Sequence, residues 1–269
     1  MPFVTSCLFT IPLLFFLSLL DKVPPPNEGD IALRTKRQPM NVGDRKKFLA
    51  TFWPGIILSV VAYMLLTTFR DFRDNFSADI WKTLGYGNSP EIFTATEIPI
   101  SIIVLFVMGS LMLIKNNKVA FMINHIIIAI GMVLIGVSTM LYTNDFLSAP
   151  IWIILMGLGL YLGYVPFNCI LFDRLIATFK YVGTVGFIMY VADSFGYLGS
   201  ICVLLFKEFG FAKLSWVNFM IGAGYFISII GSILIMGSMI YFHLKHRKWS
   251  VEHNKIADAN AFTLRPEIV

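Results

Sequence analysis

Long apolar runs alternate with short polar intervals along all 269 residues. A helix that crosses a bilayer core needs about 20 consecutive apolar residues. Seven runs reach or approach that length: 3–20, 49–69, 95–114, 119–142, 149–171, 183–206 and 215–242. They contain no Lys or Arg, their only acids are Glu97 and Asp193, and their only imidazole is His125. The pattern predicts an all-α polytopic membrane bundle. A leading helix (1–20) and a polar linker (21–48) precede a six-helix bundle (49–242) and a cytoplasmic tail (243–269). The spacing divides the six into two sets of three, 49–142 and 149–242, without visible identity between them.

The leading run has no basic residue before it and no small-x-small cleavage site. It therefore reads as a membrane helix rather than a signal peptide. In the linker, Pro24-Pro25-Pro26 favours an extended start, and 27–38 is expected to form a short amphipathic helix.

Composition sharpens the class. Hydrophobic residues make up 57% of the chain and charged residues 14%, against about 25% charged in a soluble domain. Mean hydropathy is +0.75. A soluble enzyme, a disordered tail and a coiled coil are excluded. The net charge of +5 would suggest nucleic acid in a soluble chain, but here the basic residues sit between and after the apolar runs. Sixteen of the 21 fall in one set of alternating intervals and five in the other. The positive-inside rule then places the linker and the C-terminus in the cytoplasm and the N-terminus outside, in a cell (inner or plasma) membrane. Cys7, Cys169 and Cys202 lie in three separate apolar runs, which gives no disulfide framework and no metal site.

The candidate chemistry is sparse. In Arg70-Asp71-Phe72-Arg73-Asp74-Asn75-Phe76, residues Arg70, Arg73 and Asp74 share one helical face, and Phe69, Phe72 and Phe76 share another. Two readings stay open: a solvated helix end with self-paired charges, or a charged lining at the outer mouth of a substrate path. Asp193 lies midway along its run among small residues, in YVADSFGYLGS. A carboxylate at that depth is costly unless paired, hydrated or protonated. It serves either helix assembly or a proton or substrate site. Glu97 is expected to snorkel to the outer interface beside Pro99. His125 is expected to make a helix–helix hydrogen bond rather than act as a proton relay. Gly157, Gly159, Gly163, Pro166 and Asn168 mark 149–171 as a run that packs closely and can bend. Asp173 and Arg174 follow it as a predicted gate or structural ion pair. His243 and His246 read as part of a basic interfacial anchor. No GxSxG, HExxH, P-loop or paired CxxC occurs, so the residues point to neither catalysis nor a cofactor.

These features resemble the C-terminal half of a major facilitator superfamily transporter. The long basic linker resembles that family's central loop, and six helices with a cytoplasmic C-terminus follow it. GSLMLIKNNK (109–118) is similar to the family's glycine-and-basic loop motif. It keeps Gly109, Lys115 and Lys118 but lacks the acid. DIALRTKRQPM, FRDFRDNF and YVADSFGYLGS resemble a group of uncharacterised bacterial transporter-like membrane proteins.

The resemblance implies a small solute carried by alternating access. Residues 49–76 and 149–171 would line the cavity, and Arg70, Arg73, Asp74 and Asn168 would be candidates on them. Asp193 would lie on the helix facing the other half. It also implies incompleteness, since a full member has twelve helices. A truncated or split product is therefore expected, completed by a separately encoded N-terminal half or by a homodimer. A seven-helix receptor or sensor shares the topology, although 215–242 has no Lys for a retinal Schiff base and the first loop is long for that class. A non-transporting structural subunit is the third alternative.

Overall fold

The computed structural model describes residues 2–25, 28, 40–181, 183–209 and 215–263. It divides into two units, Met1–Lys36 and Arg37–Val269. The first contains α1 (Pro2–Leu20), an apolar helix that runs through Pro12. Its described apolar stretch, Cys7–Leu20, is shorter than the spans of the second unit. The amphipathic helix expected at 27–38 lies outside the described residues, apart from helical Glu28.

Six spans in the second unit are long and apolar enough to cross a bilayer. The first is α2 (Val42–Asn75), which begins seven residues before the predicted boundary. Asn41 sets that start. Its side chain accepts from Asp44 N at 2.9 Å, and Asp44 bonds back to Asn41 N, forming a capping box. The helix also continues six residues past the apolar run, so FRDFRDN is helical, as the helical spacing of its charges and rings leads one to expect. A short α3 (Ser77–Thr83) follows. Then come α4 (Glu91–Met112) and α5 (Asn117–Thr143). The fourth span joins α6 (Ala149–Pro166), a π-turn (Phe167–Leu171) and α7 (Phe172–Thr178). The last two are α8 (Val185–Phe209) and the pair α9 (Trp216–Phe226) and α10 (Ser232–Thr263), joined by a π-turn at Ile227–Gly231.

The last helix carries on past the end of its apolar run at 242, through the predicted tail segment to Thr263. His246 and Trp249 on it pack their rings against Phe179 at 5.8 and 6.3 Å. The mixed aromatic and basic composition there leaves the helix uninterrupted because it contains no Gly or Pro.

Packing follows the division into threes. The second helix of each set lies against the first helix of the other: α4 on α6, and α8 on α2. The third helix of each set also lies against the first of the other: α10 on α2, and α5 on α6. Exchanging the two sets leaves these pairings unchanged. Burial is highest in α2, α5 and the α6–α7 span, at 44%, 50% and 50% of their most apolar windows. The α4, α8 and α9–α10 spans reach 22%, 28% and 28% and form the periphery.

Two devices hold the helices together. One is backbone contact at glycine. A Cβ on Gly159 would lie 2.5 Å from Gly131 O, and one on Gly131 would lie 2.8 Å from Gly163 N. The α5 and α6 backbones therefore touch, as small residues permit in a membrane. The other is a buried polar knot. Ser238 Oγ lies 2.8 Å from Ser59 Oγ and donates to Gly55 O at 3.1 Å. His125 Nε2 lies 3.3 Å from the same hydroxyl, and Nδ1 lies 2.9 Å from Phe121 O. His125 thus ties α5 to α10 and α2 from a fully buried position.

Candidate functional site

The polar residues of α2 beyond its midpoint form two connected groups. The first is centred on Tyr63. Its hydroxyl donates to Asp193 Oδ1 at 2.6 Å, and the Asn168 amide lies 3.3 Å away. A hydroxyl has one proton, so it cannot donate to both. With the Asn168 amide turned so that Nδ2 faces Tyr63, the phenol donates to Asp193 and accepts from Asn168. That orientation also gives Nδ2 a partner, which it otherwise lacks among the described residues. The π-turn presents Asn168 to this group: Pro166 supplies no N–H to the helical ladder, and the wider turn that follows carries Asn168. Such turns recur at functional positions.

Tyr63 links onward. Its ring stacks on Tyr164 at 5.5 Å, and the Arg70 guanidinium sits 4.3 Å from the Tyr164 ring centroid. Arg70 is paired with Asp71, Nε at 2.9 Å and Nη2 at 2.6 Å from Oδ1. The second carboxylate oxygen of Asp71 accepts from Ser200 Oγ at 2.5 Å. Asp193 and Ser200, two turns apart on α8, thus meet Tyr63 and Asp71 on α2. The close approach depends on Gly199, where a Cβ would collide with the Thr68 hydroxyl, and is helped by Gly196, where a Cβ would crowd Thr67 at 3.1 Å.

The second group surrounds Arg73, whose side chain is only 6% exposed. Its Nη2 pairs with Glu97 Oε1 on α4, and its Nη1 lies 3.3 Å from Asp74 Oδ1. Nε has no partner among the described residues. Gly157 leaves room for it: a Cβ there would lie 3.0 Å from Arg73 Nη2 and 2.6 Å from Ile100 Cδ1. A half-open cavity of about 280 Å³ adjoins this group, lined by Arg73, Asp74, Glu97, Tyr161, Trp81 and Phe93 among others. The volume is at the small end of the range for ligand pockets.

Several expectations change here. Within the segment Arg70 pairs with Asp71 and Arg73 with Asp74, as the self-paired reading expects, but Arg73 also turns inward to Glu97 on α4. Glu97 does not simply snorkel: its side chain is 43% exposed, yet one oxygen holds Arg73. The electrostatic attraction of a buried guanidinium outweighs full hydration for that oxygen. Arg174 donates to Asn117 Oδ1 at 2.5 Å, tying α7 to the start of α5, while Asp173 is exposed. The aromatic face reads as expected. Phe69, Phe72 and Phe76 are buried, and Phe72 and Phe76 pack against Phe219 and Trp216 at 4.5 and 4.6 Å.

Sequence reasoning missed Tyr63, Asp71, Tyr161, Tyr164, Trp81 and Ser200 as members of these groups. Tyrosine within an apolar run carries no charge signal. A useful one would have been the phenols of Tyr63, Tyr161 and Tyr164, since a hydroxyl at membrane depth needs a partner. Among the described residues no cluster of three or more His, Cys, Asp or Glu side chains is placed to hold a metal ion.

Fold and site together define a multi-pass membrane helix bundle with ionisable side chains joined inside its spans. The chain belongs to a family of unknown function, DUF5690, whose model matches residues 1–245. Neither curated proteins nor solved structures give a match.

Proposed function

We propose that this protein, by itself or with a further half, carries a small solute across the membrane by alternating access, with Asp193 as a proton-coupling group. The observation that carries the reading is that α2 carries two groups of ionisable and hydroxyl side chains, Asp193–Tyr63–Asn168 in mid-span and the Arg73 cavity at the predicted outer end. Ionisable groups at membrane depth are rare and mark ion or substrate paths. A purely structural contact would not need an open cavity at its end.

The pairing of helices across two sets of three also supports the reading, because carrier folds are built from such repeats.

The test is proton movement driven by solute. Purified protein in liposomes loaded with a pH-sensitive dye is challenged with panels of small cations, zwitterions and anions. The wild type should shift the internal pH with at least one solute, and Asp193→Asn should not. Identical traces for wild type, Asp193→Asn and empty liposomes would remove proton-coupled transport. The direct Tyr63–Asp193 bond favours one competing reading, a non-transporting subunit in which Asp193 serves assembly. That reading predicts loss of folded protein in Asp193→Ala, which removes the acceptor, and no solute-driven pH change in the wild type.

A further inference from the structure

The cavity beside Arg73 is not electrically balanced. Its charged lining consists of one guanidinium and two carboxylates. Neighbouring Arg70 does not correct this, because Asp71 holds it at 2.6 Å. The charges are also unequally placed. Arg73 is 6% exposed, whereas the side chains of Asp74 and Glu97 are 48% and 43% exposed. The positive group is therefore buried behind two half-exposed negative ones, and an occupant meets a net negative wall. The rest of that wall includes the rings of Tyr161, Phe93 and Trp81.

From this arrangement we propose that the cavity binds a small organic monocation, such as an alkylamine or a quaternary ammonium of about the size of choline. Asp74 and Glu97 supply the counter-charge, and the aromatic rings receive the alkyl groups. An anion would add a like charge to a partly dehydrated site. A neutral solute would leave the surplus charge uncompensated. A divalent metal asks for six or more oxygen ligands, and two carboxylates set among aromatic rings do not offer them. An organic cation satisfies both the charge and the rings, because ring faces attract cations and apolar lining accepts methyl groups. Arg73 then positions the carboxylates by holding Glu97 from α4 beside Asp74 from α2. The proposal rests on reading this cavity as the solute-accepting end of the path, but its test is binding alone.

Calorimetric titration of the full chain in nanodiscs compares three probes of one shape: choline, its uncharged analogue with carbon in place of nitrogen, and the carboxylate tert-butylacetate. Choline should bind saturably, with the neutral analogue at least about tenfold weaker and the carboxylate silent. Glu97→Gln should weaken choline about tenfold, and Asp74→Asn provides the same test should Glu97→Gln fail to fold. Equal binding of choline and its neutral analogue, preference for the carboxylate, or no choline binding would overturn the proposal. The wild-type comparison needs no variant. Choline binding without movement of any solute in liposomes would remove the transport reading and leave the cation site standing. Solute-driven proton movement without choline binding would do the reverse.

Discussion

Tyr63 and Asp193 are 130 residues apart in sequence, yet the phenol of one donates to the carboxylate of the other at 2.6 Å. The bond joins the middles of α2 and α8. It is the one place where the mid-span acid has an identified partner among the described residues. An intramolecular hydrogen bond contributes about 1 kcal/mol net, so Tyr63→Phe should destabilise the protein by roughly that amount. Asp193→Asn keeps an acceptor for Tyr63 and should melt within a few degrees of the wild type. Thermal unfolding in detergent distinguishes them. Equal loss in both variants would mean that the charge itself holds the helices.

Arg73 and Glu97 should be energetically coupled. Arg73→Ala alone leaves two half-exposed carboxylates without the guanidinium they share, and solvent screening holds that loss to about 1 kcal/mol. Glu97 is half-exposed, so the coupling in a double-mutant cycle with Glu97→Ala should also be about 1 kcal/mol. Zero coupling would show that the pair is incidental to stability.

Contact between α5 and α6 makes a sharper prediction. Gly131→Ala forces a methyl group against the Gly159 backbone, which cannot move aside as a flexible side chain could. A loss of about 3 kcal/mol is expected, at the upper end for overpacking. Gly109→Ala on α4 has nothing within 4 Å of the new methyl group. It should be neutral or stabilise by up to about 1 kcal/mol, because alanine favours helix. Similar losses at both positions would contradict the close α5–α6 approach.

Orientation is testable by labelling. In a variant with Cys7, Cys169 and Cys202 replaced, Asp145→Cys in the turn between α5 and α6 should react with an impermeant maleimide on intact cells. Lys248→Cys on α10 should react only after permeabilisation. The reverse pattern would invert the topology that the charge distribution predicts.

Much of the architecture was legible in the residues. Span positions follow from local composition, because about 20 apolar residues in succession suffice to define a crossing helix whatever surrounds it. The aromatic face of Phe69, Phe72 and Phe76 followed from helical spacing. Two helix ends did not: α2 starts at the Asn41 cap, and α10 continues through a basic sequence. Capping and helix propensity set those limits, and hydropathy does not register them.

The partners of the polar groups belong to tertiary structure alone. In water, the apolar stripe of a helix reveals which side is buried. In a bilayer, lipid-facing and protein-facing surfaces are both apolar, so the sequence carries little information about helix rotation. That rotation decides that Arg73 turns to Glu97 rather than to solvent, that Gly157 leaves space for its guanidinium, and that Tyr63 meets Asp193. The chain by itself determined that ionisable side chains lie within the membrane. Helix packing decided which of them meet, because contacts between distant spans depend on rotation and close approach, which no local pattern encodes.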